Sequence, residues 1–291
     1  MYNNNAVARQ IQNDIERELS KLGLLCRVFS RQKSEQSLMK KINKEKGKYS
    51  LTGKKIQDMV GVRVVLYFLD DIEIACKKLD KVFKKNSESI DEASTDNFGP
   101  TRCNYIYYLP EKVLPDCQFL KTGMPIDNTF EVQFRTTLSE GWHEVEHDLR
   151  YKCKEDWNSY DDYSRALNGI YATLETSDWS MLQIFESLAY NHYKKKHIEA
   201  LLRSKLRLRL QDTLTEDLKS IIHNKNLYKE IYRLDRKKIL SKLLVHNFSI
   251  PITMDNIIYV MNFFFFEDPD ISEAMPVALK GDFESLVSRV A

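Results

Sequence analysis

The sequence predicts an α/β domain followed by an all-α C-terminal domain. Three observations carry this. GVRVVLYFL (61–69) is β-branched and almost wholly apolar, as a central strand covered on both faces would be. NTFEVQFRT (128–136) alternates Phe130, Val132 and Phe134 with Glu131, Gln133 and Arg135, the period of a strand with unlike faces. After about residue 158 the strand signals stop and helix-period segments run to the end. The expected domains are 1–157 and 158–291.

Taken in order, AVARQIQNDIERELSKL (6–22) spaces Val7, Ile11, Ile15, Leu19 and Leu22 as one helix face, with Gly23 as its stop. LLCRVFS (24–30) reads as a short strand. RQKSEQSLMKKINKEKGK (31–48) is strongly basic, with a helix from Ser34. Strand 61–69 leads into helix 70–85, capped by Asp70 or Asp71, with Ile74, Leu79 and Val82 on one side. A polar stretch, NSESIDEASTDNFGP, precedes a strand over CNYIYYL (103–109). A loop carrying Pro110, Pro115, Gly123 and Pro125 leads to strand 128–136, and Ser139 is the expected cap of the next helix.

Composition narrows the function classes. Of the 291 residues 43% are hydrophobic and 30% charged, which suits a globular chain with a real core. A formal charge of +2 gives no bulk attraction to nucleic acid or anionic lipid. The N-terminus lacks the apolar core of a secretory signal, and the longest apolar run, near Ile257–Phe266, is too short to span a bilayer. The five cysteines (Cys26, Cys76, Cys103, Cys117, Cys153) are odd in number and form no CxxC, as expected of reduced thiols in a cytoplasmic protein with no membrane partner.

WHEVEH (142–147) contains HExxH, which on a helix can place two imidazoles for zinc. Here Glu146 and Asp148 stand where zinc-peptidase helices are usually uncharged, and no third ligand or Gly-rich tail follows. The match reads as accidental: no zinc is expected, Trp142, Val145 and Leu149 form the apolar stripe, and His143 points to solvent.

The strand just before it is more informative. Glu131, Gln133 and Arg135 lie in a row on one face, either a solvated sheet surface or the lining of a polar cleft. Upstream, Arg31, Lys33, Ser37, Lys40 and Lys41 gather cations and a hydroxyl at a strand end and helix start, where backbone N–H groups also favour anions. Such a segment suits a triphosphate, or is an ordinary solvated helix. Asp58, three residues before the apolar strand, can hold Mg²⁺ through oxygen or simply serve a turn.

Together these segments resemble the synthetase domain of the RelA/SpoT homologue family, over roughly residues 20 to 153, about half the chain. Arg31-x-Lys33-x-x-x-Ser37-Leu38-x-x-Lys41 resembles the family's ATP-phosphate loop, and Asp58-Met59-Val60-Gly61-Val62-Arg63 its D-x-x-G-x-R strand. Glu131-Val132-Gln133-Phe134-Arg135-Thr136 resembles E-[IV]-Q-x-R-T, and Trp142 through Lys152 the W-x-E-x-E-H-x-x-x-Y-K helix. The resemblance implies a nucleotidyltransferase-like mixed sheet flanked by helices. It also implies a pyrophosphokinase that moves the β,γ-pyrophosphate of ATP, with Mg²⁺, onto a ribose 3′-hydroxyl. Asp58 and Glu131 would hold the metal, and Glu131 would be the base. Arg31, Lys33, Ser37, Lys41 and Arg63 would bind ATP, although Arg63 equally suits bracing the sheet. Gln133, Arg135 and His147 would bind phosphate or order the site.

One segment departs from the pattern. Where the family has G-Y-x-S-x-H, this chain has Gly99-Pro100-Thr101-Arg102-Cys103-Asn104. Pro100 stands at the tyrosine that stacks the acceptor base, which leaves Phe98 or Tyr105 as the platform. The acceptor site is thus expected from Gly99, Arg102, Asn104 and Tyr105 with Gln133, Arg135 and His147. Two acceptors remain open: a guanine nucleotide, giving a (p)ppGpp synthetase of the stringent response, or the 3′-CCA end of tRNA, giving a translation-blocking toxin. A catalytically degenerate nucleotide- or RNA-binding domain is the non-enzyme alternative. Lys194–Leu210 carries seven cations against one acid, so Lys194, Lys195, Lys196, Arg203, Lys205 and Arg207 are the RNA-contact candidates, or the basic flanks of a Leu-striped helix. With no hydrolase motif read in the sequence, the activity is expected to need restraint by expression, an inhibitor or an antitoxin partner, and self-association is left open.

Overall fold

The structure, a computed structural model, describes residues 5–44, 47–91, 103–246 and 250–288. It divides into two units: residues up to Glu18 with Cys26–Trp179, and Leu19–Leu25 with residues from Ser180 onward.

The first unit contains α1 (Asn5–Ser20, which the units share), β1 (Cys26–Gln32), α2 (Glu35–Lys44), β2 (Val60–Leu66) and α3 (Asp71–Val82). Then come β3 (Lys85–Ile90), β4 (Cys103–Tyr108), β5 (Thr129–Thr136), α4 (Thr137–Val145) and a π-helical turn, Glu146–Tyr151. The described strands form one sheet in the order β1-β2-β5-β4-β3; among them β2 and β5 pair in parallel and the other neighbours antiparallel, so the sheet is mixed. One face is apolar and buried: Val28, Val62, Val64, Tyr105, Tyr107, Phe130, Val132 and Phe134. α1 reaches this sheet through Gln12, which donates to the Val28 carbonyl at 2.8 Å. From α3 and the residue after it, Asp80 accepts from the Tyr107 hydroxyl at 2.9 Å and the Phe83 ring meets Phe130 edge-on.

β3 corrects the sequence reading, which placed it in the helix end and polar stretch. KNSESI is exposed throughout and, among the described residues, pairs with β4 alone. An edge strand with no buried face leaves no apolar alternation to read.

α4 corrects it again. Its cap is Thr136, whose hydroxyl accepts from the Ser139 N–H at 3.1 Å, while the Ser139 hydroxyl accepts from the Thr136 N–H at 3.1 Å. Val145 and Leu149, expected in the core, are 48% and 62% exposed. The less exposed line is instead Ser139, Trp142, His143, Glu146 and Arg150, a helical spacing that includes polar residues and so escapes an apolar count. Trp142 packs on Tyr171 with ring centroids 4.7 Å apart and donates to the Leu167 carbonyl at 2.8 Å. Both partners lie on α5 (Asp161–Lys194), which begins in this unit.

Among the described residues the second unit has no strand: the end of α5, α6 (Ile198–Leu206), α7 (Glu216–Asn224), α8 (Tyr228–Arg233), α9 (Arg236–His246), α10 (Met254–Met261), a π-helical turn (Asn262–Phe266), α11 (Pro269–Ala274) and α12 (Val277–Ser288). The first half of the apolar run seen in the sequence is core here, with Ile257 through Met261 buried, whereas Phe263 through Phe266 are half-buried. Buried Asn262 is satisfied by the Asp268 backbone on both sides and by Ser272. Leu22 and Leu24, from the N-terminal segment, are buried in this unit. Gly23 between them has φ +69° and accepts from the Arg209 N–H at 2.8 Å. No helix among the described residues is long and apolar enough to cross a membrane.

Candidate active site

The second face of the sheet is polar. Arg31 on β1 pairs with Gly61 on β2, which pairs with Glu131 on β5. In the adjacent row Phe29, Arg63, Gln133 and Asn104 run across four strands. Paired residues project to one side of a sheet. Gly61 therefore leaves a gap between Arg31 and Glu131, where a Cβ would meet nothing closer than 3.8 Å.

Asp58 lies just before β2. Its carboxylate accepts from Lys33, just after β1, and from Lys41 of α2, at 3.1 Å to each oxygen. Burial alone would raise its pKa, but the two ammonium groups outweigh burial and hold it below the ordinary aspartate value. The lysines respond in opposite senses. Burial dominates at Lys33 and lowers its pKa, whereas at the more exposed Lys41 the attraction of Asp58 prevails over burial and raises it.

Glu131 accepts from Asn104 Nδ2 at 3.1 Å on one oxygen and from Gln133 Nε2 at 2.9 Å on the other. Burial, then the charge of Asp58, push its pKa above the usual glutamate value; Gln133, Lys33 and Lys41 pull against them. One carboxylate is thus kept firmly ionised and its neighbour is made more basic, a contrast expected where a proton is taken up.

Arg63 donates to Glu140, at 2.7 Å, and to Glu144 of α4, so in this structure it braces the sheet against the helix. Arg135 donates to the Phe134 carbonyl at 3.0 Å, and burial lowers its pKa without threatening its charge. His143, expected at the surface, is instead packed beside Trp142 and Tyr171, with ring centroids 5.3 and 5.5 Å away. Burial, with Arg135 and Arg63 nearby, lowers its pKa to about 3, so it stays neutral. His147 lies in different surroundings, stacked on Tyr151 and 2.9 Å from Asp148. HExxH straddles the change from α to π helix, and π turns are frequent at functional sites.

The sequence-predicted residues thus separate. Asp58, Lys33, Lys41, Glu131, Gln133 and Asn104 form a connected group, and Arg31 shares its sheet face. Ser37 is exposed on α2, where its N–H and hydroxyl meet the Ser34 hydroxyl. Tyr105 is a correction: next in the strand to Asn104, it points to the opposite face, stacked on Tyr107 at 6.0 Å and only 7% exposed, so it cannot be the acceptor platform. Gly99 and Arg102, with Phe98 and Pro100, lie outside the described residues.

Of the RNA-contact candidates, Lys194, Lys195, Lys196 and Arg203 are exposed and Lys205 is half-buried. Arg207 is buried at the end of α6 and offers nothing to a phosphate backbone, a second correction. Sequence reasoning missed Arg150, which lies 5.6 Å from the Trp142 ring centroid and donates to Asn168 at 2.9 Å. It also missed three tyrosines. Tyr193 and Tyr232 stack at 5.0 Å, Tyr190 is 5.8 Å from Tyr232, and Lys194 and Lys205 lie over these rings.

Residues 30–156 match the family model described as a region found in RelA / SpoT proteins. No curated protein matches the chain by sequence. Among solved structures, the small alarmone synthetase 1 of Bacillus subtilis is similar over 62% of this chain and 92% of its own, with 18% identity and a TM-score of 0.46. The same enzyme bound to its product pppGpp gives 61%, 92%, 19% and 0.45. A GTP pyrophosphokinase family protein from Streptococcus pneumoniae gives 61%, 86%, 19% and 0.47.

Proposed function

With residues 30–156 a RelA/SpoT-type region, we propose that the first unit is an ATP-dependent pyrophosphokinase acting on the ribose 3′-hydroxyl of a guanine nucleotide. The observation that carries this reading is the carboxylate pair: Asp58 clamped by Lys33 and Lys41, and Glu131 with a raised pKa on the same polar site.

The reaction follows from these groups. Glu131 takes the proton of the 3′-hydroxyl. The 3′-oxygen bonds to the β-phosphorus of ATP as the bond from that phosphorus to the α–β bridging oxygen breaks. AMP leaves with the bridging oxygen, and the acceptor keeps the diphosphate. Lys33 and Lys41 exchange part of their hold on Asp58 for the phosphates, and Arg31 approaches them across the gap above Gly61. The carboxylates of Asp58 and Glu131 are hard oxygen donors, which fits Mg²⁺ shared with substrate phosphates. Bound there, the ion would neutralise the triphosphate and orient it for in-line attack.

The test is incubation with γ-³²P-ATP and GDP, GTP or total tRNA. Label in a guanosine product is expected, and Glu131→Gln is expected to abolish transfer while ATP still binds. Transfer that survives this substitution removes Glu131 as the base.

A second reading, pyrophosphate transfer to the 3′ end of tRNA, is favoured by the tyrosines of the second unit. Aromatic faces with lysines above them suit unpaired bases and phosphates. Label in tRNA alone selects it. Tight nucleotide binding without transfer to any acceptor sinks both readings and leaves a binding domain.

A further inference from the structure

Asn104 does more than hold Glu131. Its amide nitrogen donates to Glu131 Oε1 at 3.1 Å, which fixes the orientation of the group, since only the nitrogen can donate to a carboxylate. That leaves the amide oxygen, Oδ1, buried and without a hydrogen-bond partner among the described residues. A buried acceptor left empty costs about 1–3 kcal/mol, so it marks a place where a donor belongs. The donor must arrive beside the carboxylate that would deprotonate the attacking hydroxyl. In a ribose, the neighbour of the 3′-hydroxyl is the 2′-hydroxyl, and one side-chain amide is short enough to serve both atoms of that pair.

We propose that Asn104 is the residue that makes the site specific for ribose over 2′-deoxyribose, its Oδ1 accepting a hydrogen bond from the acceptor's 2′-hydroxyl while its Nδ2 holds Glu131 for the 3′-hydroxyl. The inference rests on the pyrophosphokinase reading and is independent of whether the acceptor is a free nucleotide or an RNA end.

The two halves of the amide separate experimentally. Asn104→Ala removes both contacts, but loss of the Glu131 contact slows ribo- and deoxy-acceptors alike. Only loss of the Oδ1 contact changes their ratio. Gln133→Ala is the matching control, because it removes the other donor to Glu131 and leaves the Asn104 amide in place.

The experiment measures kcat/KM with GDP and 2′-deoxy-GDP, or with tRNA ending in adenosine or 2′-deoxyadenosine if tRNA takes the label. The wild-type chain is expected to prefer the ribo-acceptor by about tenfold to a hundredfold, the scale of one unmade hydrogen bond at a buried group. Asn104→Ala is expected to lose that preference, and Gln133→Ala to be slower on both acceptors with the ratio kept. Equal use of both acceptors by the wild-type chain overturns the assignment without needing any variant to fold. A preference that survives in a folded Asn104→Ala, or that Gln133→Ala removes equally, overturns it too. In those cases transfer itself still stands, whereas no transfer to any acceptor overturns both the assignment and the reading beneath it.

Discussion

Asp58 and Glu131 sit in one site and respond oppositely to it. Asp58 has its pKa lowered in the folded chain, so it contributes stability above its unfolded value, and that contribution is lost as pH falls through the folded value. Glu131 has its pKa raised, so the folded state binds its proton more tightly, and stability falls as pH rises through that window. Ionised Glu131 is a cost carried at neutral pH. Its acid limb in kcat/KM is therefore expected above the ordinary glutamate value of 4.5, and Gln133→Ala, which removes a bond favouring the anion, is expected to move that limb to higher pH. A pH–rate profile with the limb unmoved would mean that Glu131 is not the titrating base. The pair was legible in the sequence because two separate motifs kept their spacing. The amide shell was only partly so: Gln133 follows from strand alternation, but the contact of Asn104 with Glu131 depends on the pairing of β4 with β5, which no local pattern encodes.

At the scale of elements, the joint between β5 and α4 carries the site. Thr136 closes the strand, caps the helix and donates to buried Asp178 at 2.7 Å. Burial already raises the pKa of Asp178, and Thr136 works against that. Thr136→Ala removes a cap and strands a buried acceptor, at a combined cost of about 1–3 kcal/mol, read as a fall in melting temperature. Thr136→Ser, which keeps the hydroxyl, is expected to restore most of it. Strands with a buried face, β2 and β5 above all, announced themselves through β-branched runs and alternation. The less exposed line of α4 did not, because His143, Glu146 and Arg150 occupy it, and β3 did not, because it buries nothing.

For the molecule as a whole, the change from α/β to helical texture was plain in the sequence, since no strand follows Thr136 among the described residues. The involvement of residues 19–25 in the second unit was not, because their partners lie far along the chain. Gly23 is the test of that involvement. At φ +69° an L side chain is strained, and a Cβ would stand 2.8 Å from Ile252 Cγ2. Gly23→Ala is expected to destabilise the chain by about 1–2 kcal/mol or more, measured by denaturant unfolding. An unchanged midpoint would show that the segment is not anchored there.

The same seven residues impose a timetable. Leu19, Leu22 and Leu24 flank Gly23, and Ile252, which adjoins that glycine, is translated more than two hundred residues after them. At about 5–20 residues per second that delay lasts roughly ten seconds or longer. Through it the nascent chain carries an apolar stretch whose cover is incomplete, so a segment made more than two hundred residues later is what finishes taking it out of water.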